Sequence, residues 1–279
     1  MMKILKNLLK TPFFIFGVVL LVGTLSFAYI LPLFYHVDIK TCVGAPYMPP
    51  SAEHWLGTDH MGVDMLSLLI SGLQSSLYVG LLAGIIATIT GTFLGLYAGF
   101  RGGWQDNTIN MVTNLFIVIP QLVLLILISS SMKEGRSLTL IAVIIGLTTW
   151  TWTTRAVRAQ AASIKSRDHI SLAKVNGAST ITILFKHILM YLMSYVFMVF
   201  IMQTASGILS ESAISMIGLG PFDTVSLGTI LNQAQRNEAL TDGAWWAFLP
   251  AVVLIAAIAF ALYVINQSME GVFNPRLRK

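Results

Sequence analysis

Residues 77–100 form the stretch LYVGLLAGIIATITGTFLGLYAGF, which contains no charged side chain. At a rise of about 1.5 Å per residue, a helix of this length is long enough to cross the roughly 30 Å hydrocarbon core of a bilayer. All of its glycines are spaced four or seven residues apart: Gly80, Gly84, Gly91, Gly95 and Gly99. This spacing predicts a helix face that another helix can approach closely, either within the chain or at a subunit or gate interface.

Five further runs are also apolar and contain no charged side chain. They comprise residues 13–34, 111–130, 138–154, 188–209 with a weaker extension over 213–219, and 245–265. Because lipid cannot satisfy backbone polar groups, the six runs predict six transmembrane helices in an all-α polytopic membrane protein. Pro120 removes a backbone donor in the third helix and predicts a kink there. The first run is too long for the apolar core of a secretory signal peptide, so an uncleaved span is favoured over that alternative.

The composition excludes several classes of protein. Of 279 residues, 56% are hydrophobic and only 10% are charged, and the mean hydropathy is +0.77. In a soluble domain, by contrast, about a quarter of the residues are charged.

Cys42 is the only cysteine, which excludes an internal disulfide or a cysteine-built metal site. The sequence has no GxxxxGK[ST] phosphate loop and no HExxH motif. His36, His54 and His60 share one outer segment, where scattered loop histidines are favoured over a metal site. These observations predict a non-enzymatic membrane protein that binds no cofactor itself.

Basic residues predict the orientation of the chain. With the N-terminus in the cytoplasm, inner segments hold 13 of the 17 lysines and arginines, as the positive-inside rule requires. Both termini are then cytoplasmic. Since these residues border apolar runs and form no continuous patch, nucleic-acid binding is not predicted.

Glu211 is the one charged residue inside the predicted spans, near the outer end of the fifth. Charge at membrane depth is costly and often functional, so Glu211 is a candidate gate or pathway residue. The alternative is a capping or interfacial carboxylate that anchors the turn after the fifth span. A chain with so little charge in its spans and no ATP motif is expected to obtain its energy from a partner.

The inner segment after the fourth span predicts a helix, a glycine turn and a second helix. Residues 166–176 form the first helix, Gly177 ends it, and Ser179 caps the helix that enters the fifth span. This segment either docks a partner protein or lies on lipid headgroups through Arg167, Lys174 and Lys186.

The sequence RDHISLAKVNGAS, residues 167–179, resembles the inner-loop signature of permease subunits of binding-protein-dependent ABC importers. That signature has Glu-Ala-Ala followed by a glycine. Here Ser171, Leu172 and Ala173 occupy the Glu-Ala-Ala positions, Gly177 matches the glycine, and Met190 stands where proline is common. The resemblance implies an ATPase-coupling loop that includes Asp168, His169, Ile170, Ser171, Leu172, Ala173, Lys174 and Gly177.

A second stretch, HWLGTDHMGVD at residues 54–64, is similar to the outer-loop motif of the dipeptide, oligopeptide and nickel permease family, with Val63 in place of the usual arginine. Residues 100–106, 117–120, 211–220 and 274–278 resemble further motifs of that family, and its second permease subunit fits best. The outer-loop motif comprises His54, Leu56, Gly57, Thr58, Asp59, Gly62 and Asp64.

The resemblance implies a subunit of a bacterial inner-membrane importer. Its implied partners are a second permease, two cytoplasmic ATPase subunits that use ATP and magnesium, and an extracytoplasmic binding protein. The implied substrate is a short peptide, with a nickel or other metal chelate as the alternative. Residues 1–72 hold the first span and outer loop, 73–270 the five-helix permease core, and 271–279 a cytoplasmic tail. A stand-alone channel, an ion-coupled carrier and a scaffold without transport are the competing classes.

Overall fold

The computed structural model describes residues 8–9, 11–132 and 136–273. The first half contains α1 (Pro12–Tyr29), α2 (Met65–Arg101), α3 (Gly103–Val118), α4 (Gln121–Ser131) and α5 (Leu138–Lys165). The second half contains α6 (Asp168–Val175), α7 (Thr180–Leu219), α8 (Leu227–Arg236) and α9 (Leu249–Phe273). Extended pairing within these ranges is limited to two isolated bridges, Cys42 with Val63 and Thr58 with Asp64. The motif at 274–278 lies outside the described residues.

The membrane spans follow the prediction with one difference. Among the described residues, five segments are long and apolar enough to cross a bilayer: Pro12–Leu33, Met65–Arg101, Leu138–Lys165, Thr180–Leu219 and Trp245–Val272. The predicted third span is two helices, α3 and α4, which meet at 82° and count as a sixth span if they cross together. The prediction of an all-α polytopic protein is confirmed. The prediction of one continuous, kinked third helix was wrong.

The break before α4 has a local cause. Ile119 has φ −80° and ψ 121°, the extended conformation that a following proline imposes on its neighbour. Pro120 also lacks the N–H that would continue the hydrogen-bond ladder. The chain therefore ends α3 at Val118 and starts a new helix in another direction.

Helix α2 is the central element of the fold. It packs along α5 on one side and α7 on the other, while α1 packs against α9. α2 begins at Met65, well before the apolar run at 77, because the Asp64 carboxylate accepts a hydrogen bond from the Ser67 N–H at 2.8 Å. At 37 residues, α2 is about 55 Å long and exceeds the bilayer core.

The glycines of α2 face helices of the same chain. A Cβ on Gly84 would lie 2.5 Å from Thr204 Oγ1 on α7, and a Cβ on Gly91 would lie 2.5 Å from Thr153 Cβ on α5. A Cβ on Gly99 would lie 2.5 Å from the carbonyl oxygen of Arg158. Of the two alternatives for this glycine face, packing within the chain is therefore the one observed.

Helix α5 extends beyond the predicted fourth span, which ended at residue 154. It continues to Lys165 without a break. Arg155 and Arg158, assigned from the sequence to an inner loop, therefore lie on the same continuous helix as the membrane span.

The glycine contact gives a testable stability difference. Gly99→Ala and Gly23→Ala both gain about 1 kcal/mol of helix propensity, but a Cβ on Gly23 has nothing within 4 Å. Gly99→Ala must also push α5 away, at a cost of about 1–3 kcal/mol. We expect thermal unfolding in detergent to show a lower Tm for Gly99→Ala than for Gly23→Ala. Equal Tm values would contradict the proposed close packing of α2 against α5.

Candidate functional site

The predicted helix, glycine turn and second helix are present in the segment after α5. Gly177 has φ +75°, and its N–H donates to the Lys174 carbonyl at 3.0 Å. The Ala178 N–H donates to the Ala173 carbonyl at 3.0 Å, which completes a Schellman C-cap. Ser179 Oγ then accepts a hydrogen bond from the Thr182 N–H at 3.2 Å and begins α7. The turn after α6 is thus fixed by backbone geometry.

Helix α6 has one buried and one exposed face. Ile170 and Ala173 pack into a core cluster with Ile164 of α5 and Ile188 of α7. Apolar side chains also point outward, since Leu172 is 63% exposed and Val175 is 83% exposed. The remaining predicted residues of the coupling loop are exposed: Asp168, His169, Ser171, Lys174 and Gly177.

Cation–ring contacts hold α6 against the rest of the chain. Lys174 Nζ lies 5.1 Å from the ring centre of Phe100, at the C-terminal end of α2. The Arg167 guanidinium carbon lies 4.7 Å from the ring centre of Tyr191 on α7, and the His169 ring stacks on the same tyrosine. Such contacts stabilise a position by about 0.5–1 kcal/mol each at exposed sites. α6 is therefore attached to α2, α5 and α7.

The outer-loop motif forms a compact turn around the buried Asp59. Asp59 Oδ1 accepts hydrogen bonds from the N–H groups of Met61 and Val63, both at 2.8 Å, and Asp59 Oδ2 lies 3.4 Å from His60 Nδ1. Val63, which replaces the family's arginine, is buried in the core.

Asp64 joins this turn to the start of α2. Besides capping the helix, its carboxylate accepts from the Tyr35 hydroxyl at 3.0 Å and lies 3.2 Å from His54 Nδ1. Burial, followed by the negative charge of Asp64, raises the pKa of Tyr35 to about 12. Tyr35 therefore remains a neutral hydrogen-bond donor throughout the physiological pH range.

The two glycines of the motif are required by close backbone approach. Gly57 has φ +67° and Gly62 has φ +77°, and a Cβ on either would overlap a backbone carbonyl oxygen, of Met48 and Gly44 respectively. Thr58 Oγ1 donates to the Ala45 carbonyl at 2.7 Å.

The motif also contacts the last span. The Thr58 carbonyl accepts a hydrogen bond from Trp246 Nε1 at 3.2 Å, and Leu56 packs against the main core cluster. In the part of the chain that the structure describes, no group of three or more His, Cys, Asp or Glu side chains is arranged to hold a metal ion. The motif binds the outer loop to α2 and to the segment that precedes α9.

Glu211 is fully buried between α2, α7 and α8. Its carboxylate accepts hydrogen bonds from Ser215 Oγ at 2.6 Å and from Ser76 Oγ at 2.9 Å. Ser76 Oγ in turn accepts from the N–H of Leu227, the first residue of α8, at 3.2 Å. The carboxylate therefore links α7 to α2 and, through Ser76, to a helix N-terminus, where negative charge is favourable.

A cavity of about 470 Å³ lies where α3 and α4 break apart, and α5 and α7 form its other walls. We call it the kink cavity. Its lining includes Pro120, Gln121, Trp152, Arg155 and Ser206. Gln121 Nε2 donates to Ser210 Oγ of α7 at 3.0 Å, which ties the start of α4 to the wall of the cavity.

Sequence reasoning missed the contacts between α3 and α5. The Arg158 guanidinium forms a two-point ion pair with Asp106, with Nη2 and Oδ2 2.7 Å apart, and Arg155 Nη2 donates to Asn114 Oδ1 at 2.8 Å. Arg155 and Arg158 were interpreted only as indicators of membrane topology, because the fourth span was expected to end before them. Their spacing, three residues apart on one helix face, was the available signal.

The buried Glu211 carboxylate predicts a graded effect on stability. Glu211→Gln keeps the size and one acceptor oxygen but places an amide NH2 group against the other serine. Glu211→Ala leaves both buried hydroxyl groups without this acceptor, at about 1–3 kcal/mol. We expect thermal unfolding in detergent to rank the wild type above Glu211→Gln and Glu211→Gln above Glu211→Ala. A wild-type Tm for Glu211→Ala would contradict this structural role.

Comparison with known proteins agrees with this architecture. A family model described as "Binding-protein-dependent transport system inner membrane component" matches residues 91–279. The oligopeptide transport system permease protein OppC of Lactococcus lactis subsp. cremoris is 28% identical over 280 residues, which cover 98% of this chain and 94% of that protein. OppC of Bacillus subtilis is 29% identical over 266 residues, covering 94% and 85%. The dipeptide transport system permease protein DppC of Bacillus subtilis is 29% identical over 247 residues, covering 88% and 75%.

The family match begins at residue 91, in the last third of α2, and includes everything after it, and the OppC of Lactococcus lactis aligns over nearly the whole chain. The chain therefore belongs to the family of inner membrane components of binding-protein-dependent transport systems, and it is a transmembrane permease subunit of an importer.

Proposed function

We propose that this permease forms half of the translocation pathway of an ATP-driven importer of dipeptides or oligopeptides. It pairs with a second permease, and two cytoplasmic ATPase subunits bind below and use ATP and magnesium. An extracytoplasmic binding protein delivers the substrate. Peptides are favoured because similar proteins are named oligopeptide and dipeptide permeases. Residues 73–270 form the permease core of this assembly.

The observation that carries the coupling role is the arrangement of α6. Its buried face is packed against α2, α5 and α7, while Leu172 and Val175 present exposed apolar surface to the proposed cytoplasmic side. Exposed apolar side chains of this kind are typical of a protein-binding surface. An ATPase subunit that binds this surface can move α6 together with α2, α5 and α7, and thereby change the side to which the pathway opens.

The same contacts argue against the alternative of a helix that lies on lipid headgroups. That role needs cations free to reach phosphate groups. Lys174 and Arg167, however, are positioned over the rings of Phe100 and Tyr191. These contacts favour a rigid docking element.

The orientation with both termini in the cytoplasm is part of the proposal, and Cys42 makes it testable. This cysteine is exposed in the proposed outer loop. We expect a membrane-impermeant maleimide added to intact cells to label it. In a Cys42→Ser background, Lys165→Cys should be labelled only after the membrane is permeabilised. Labelling of Lys165→Cys in intact cells would overturn the topology.

Gly177 gives a sharp test of coupling. A β-branched residue in the left-handed conformation costs roughly 1–2 kcal/mol, which corresponds to a roughly 5–30-fold loss of the correctly turned state. Gly177→Val should therefore insert and assemble normally, but uptake and substrate-stimulated ATP hydrolysis in proteoliposomes should fall several-fold.

Gly243 provides a matched control. Its φ is +69°, and a Cβ there, as at Gly177, would meet nothing within 4 Å, but it lies in the proposed outer segment before α9. Gly243→Val carries the same backbone strain and should preserve the stimulation of ATP hydrolysis. Normal uptake and hydrolysis in an assembled Gly177→Val importer would refute the coupling role of the loop. Uptake of a metal chelate in place of peptides would refute the proposed substrate.

A further inference from the structure

Arg155 is a charged residue that lines the kink cavity without a charged partner among the described residues. Its Nη2 donates one hydrogen bond, to the neutral amide oxygen of Asn114. A guanidinium group has five N–H donors, and this bond fixes its position without neutralising its charge. Arg155 is therefore held in place with a positive charge available to an incoming group.

Arg158 lies almost one turn further along the same helix and shows the contrast. Its guanidinium is paired at two points with the Asp106 carboxylate, so its charge is balanced within the chain. The chain thus neutralises one arginine and leaves the other, which faces the cavity, unbalanced.

Arg155 lies near the inner end of the proposed fourth span. It follows Leu138, the first residue of α5, by 17 positions, which is about 25 Å along the helix, so with Leu138 at the outer boundary it lies close to the inner edge of the roughly 30 Å hydrocarbon core. A charged side chain that faces a cavity at the end of a span marks a candidate route for an ion or substrate.

The rest of the lining suits an organic anion. It includes no acidic residue among the described side chains, while Thr148, Gln121 and Ser206 supply polar groups. Aromatic rings lie beside them: Trp152 is 54% exposed, and Phe116 packs against Trp150. Positive charge next to exposed aromatic surface favours a molecule with a carboxylate and apolar side chains, and it repels a bare metal cation.

We propose that Arg155 binds the carboxylate of the transported substrate during its passage, and that this carboxylate is the C-terminus of a peptide. A guanidinium group matches a carboxylate in a two-point geometry. Trp152 and Phe116 contact the peptide side chains nearby. This inference rests on the proposed function, since it assigns Arg155 a role in substrate selection within the same pathway.

The test compares one labelled peptide as the free acid and as its C-terminal amide. The pair is chosen so that the isolated binding protein binds both with the same Kd, which removes selection at that earlier step. Uptake is measured in proteoliposomes that contain the complete importer. We expect the wild type to transport the acid about tenfold faster than the amide, because a charge-assisted contact is lost with the amide.

In Arg155→Gln, uptake of the acid should fall to the rate of the amide, while uptake of the amide should change little. Arg155→Lys, which keeps the charge but loses the two-point geometry, should show intermediate selectivity. Arg101→Gln is the matched control because it removes one positive charge from the exposed end of α2, outside the residues that line the cavity. It should keep the wild-type preference.

Three outcomes would overturn the inference. Equal selectivity in the wild type and Arg155→Gln would overturn it alone and leave the proposed function intact. Loss of the second permease from purified Arg155→Gln, with recovery in Arg155→Lys, would instead assign Arg155 to an ion pair between subunits. A wild-type importer that takes up neither peptide, although its binding protein binds both, would overturn the proposed function and this inference with it.

Discussion

The close approach of α2 to α5 and α7 is the contact on which the rest of the structure depends. At Gly84, Gly91 and Gly99 the neighbouring helices come so near that even one methyl group would displace them. In lipid, where burial of apolar surface gives little gain, such van der Waals contact is the main source of helix association. Because both neighbours touch the same helix, the positions of α5 and α7 are fixed relative to each other.

This arrangement explains why polar groups gather along α2. At its N-terminal end, Asp64 caps the helix and holds the outer-loop motif, and Ser76 joins it to Glu211. At its C-terminal end, the ring of Phe100 lies beneath Lys174 of α6. The contact between Ser76 and Glu211 connects α2 to α7, which the glycine face already holds nearby, so its entropic cost is small.

Much of this organisation could be predicted from residue types. The apolar runs indicated the spans because hydrophobic length is a local property, and Gly177 indicated the turn after α6 because a left-handed C-cap favours glycine. The burial of Glu211 and the extension of α5 past residue 154 were not predicted. Both depend on tertiary contacts, since Ser76 of α2 donates a hydrogen bond to Glu211 and Asp106 of α3 balances Arg158. The 82° break at Pro120 was underestimated because a proline marks the place of a bend and not its angle.

The length of α2 has a mechanical consequence. One uninterrupted helix carries the anchor of the outer-loop motif at its first turn and contacts α6 at its last. A tilt of α2 about its tightly packed middle would move its two ends in opposite directions. In the proposed importer, arrival of a loaded binding protein at one end of α2 and closure of the ATPases at the other would then act on the same rigid body, without a flexible joint between them.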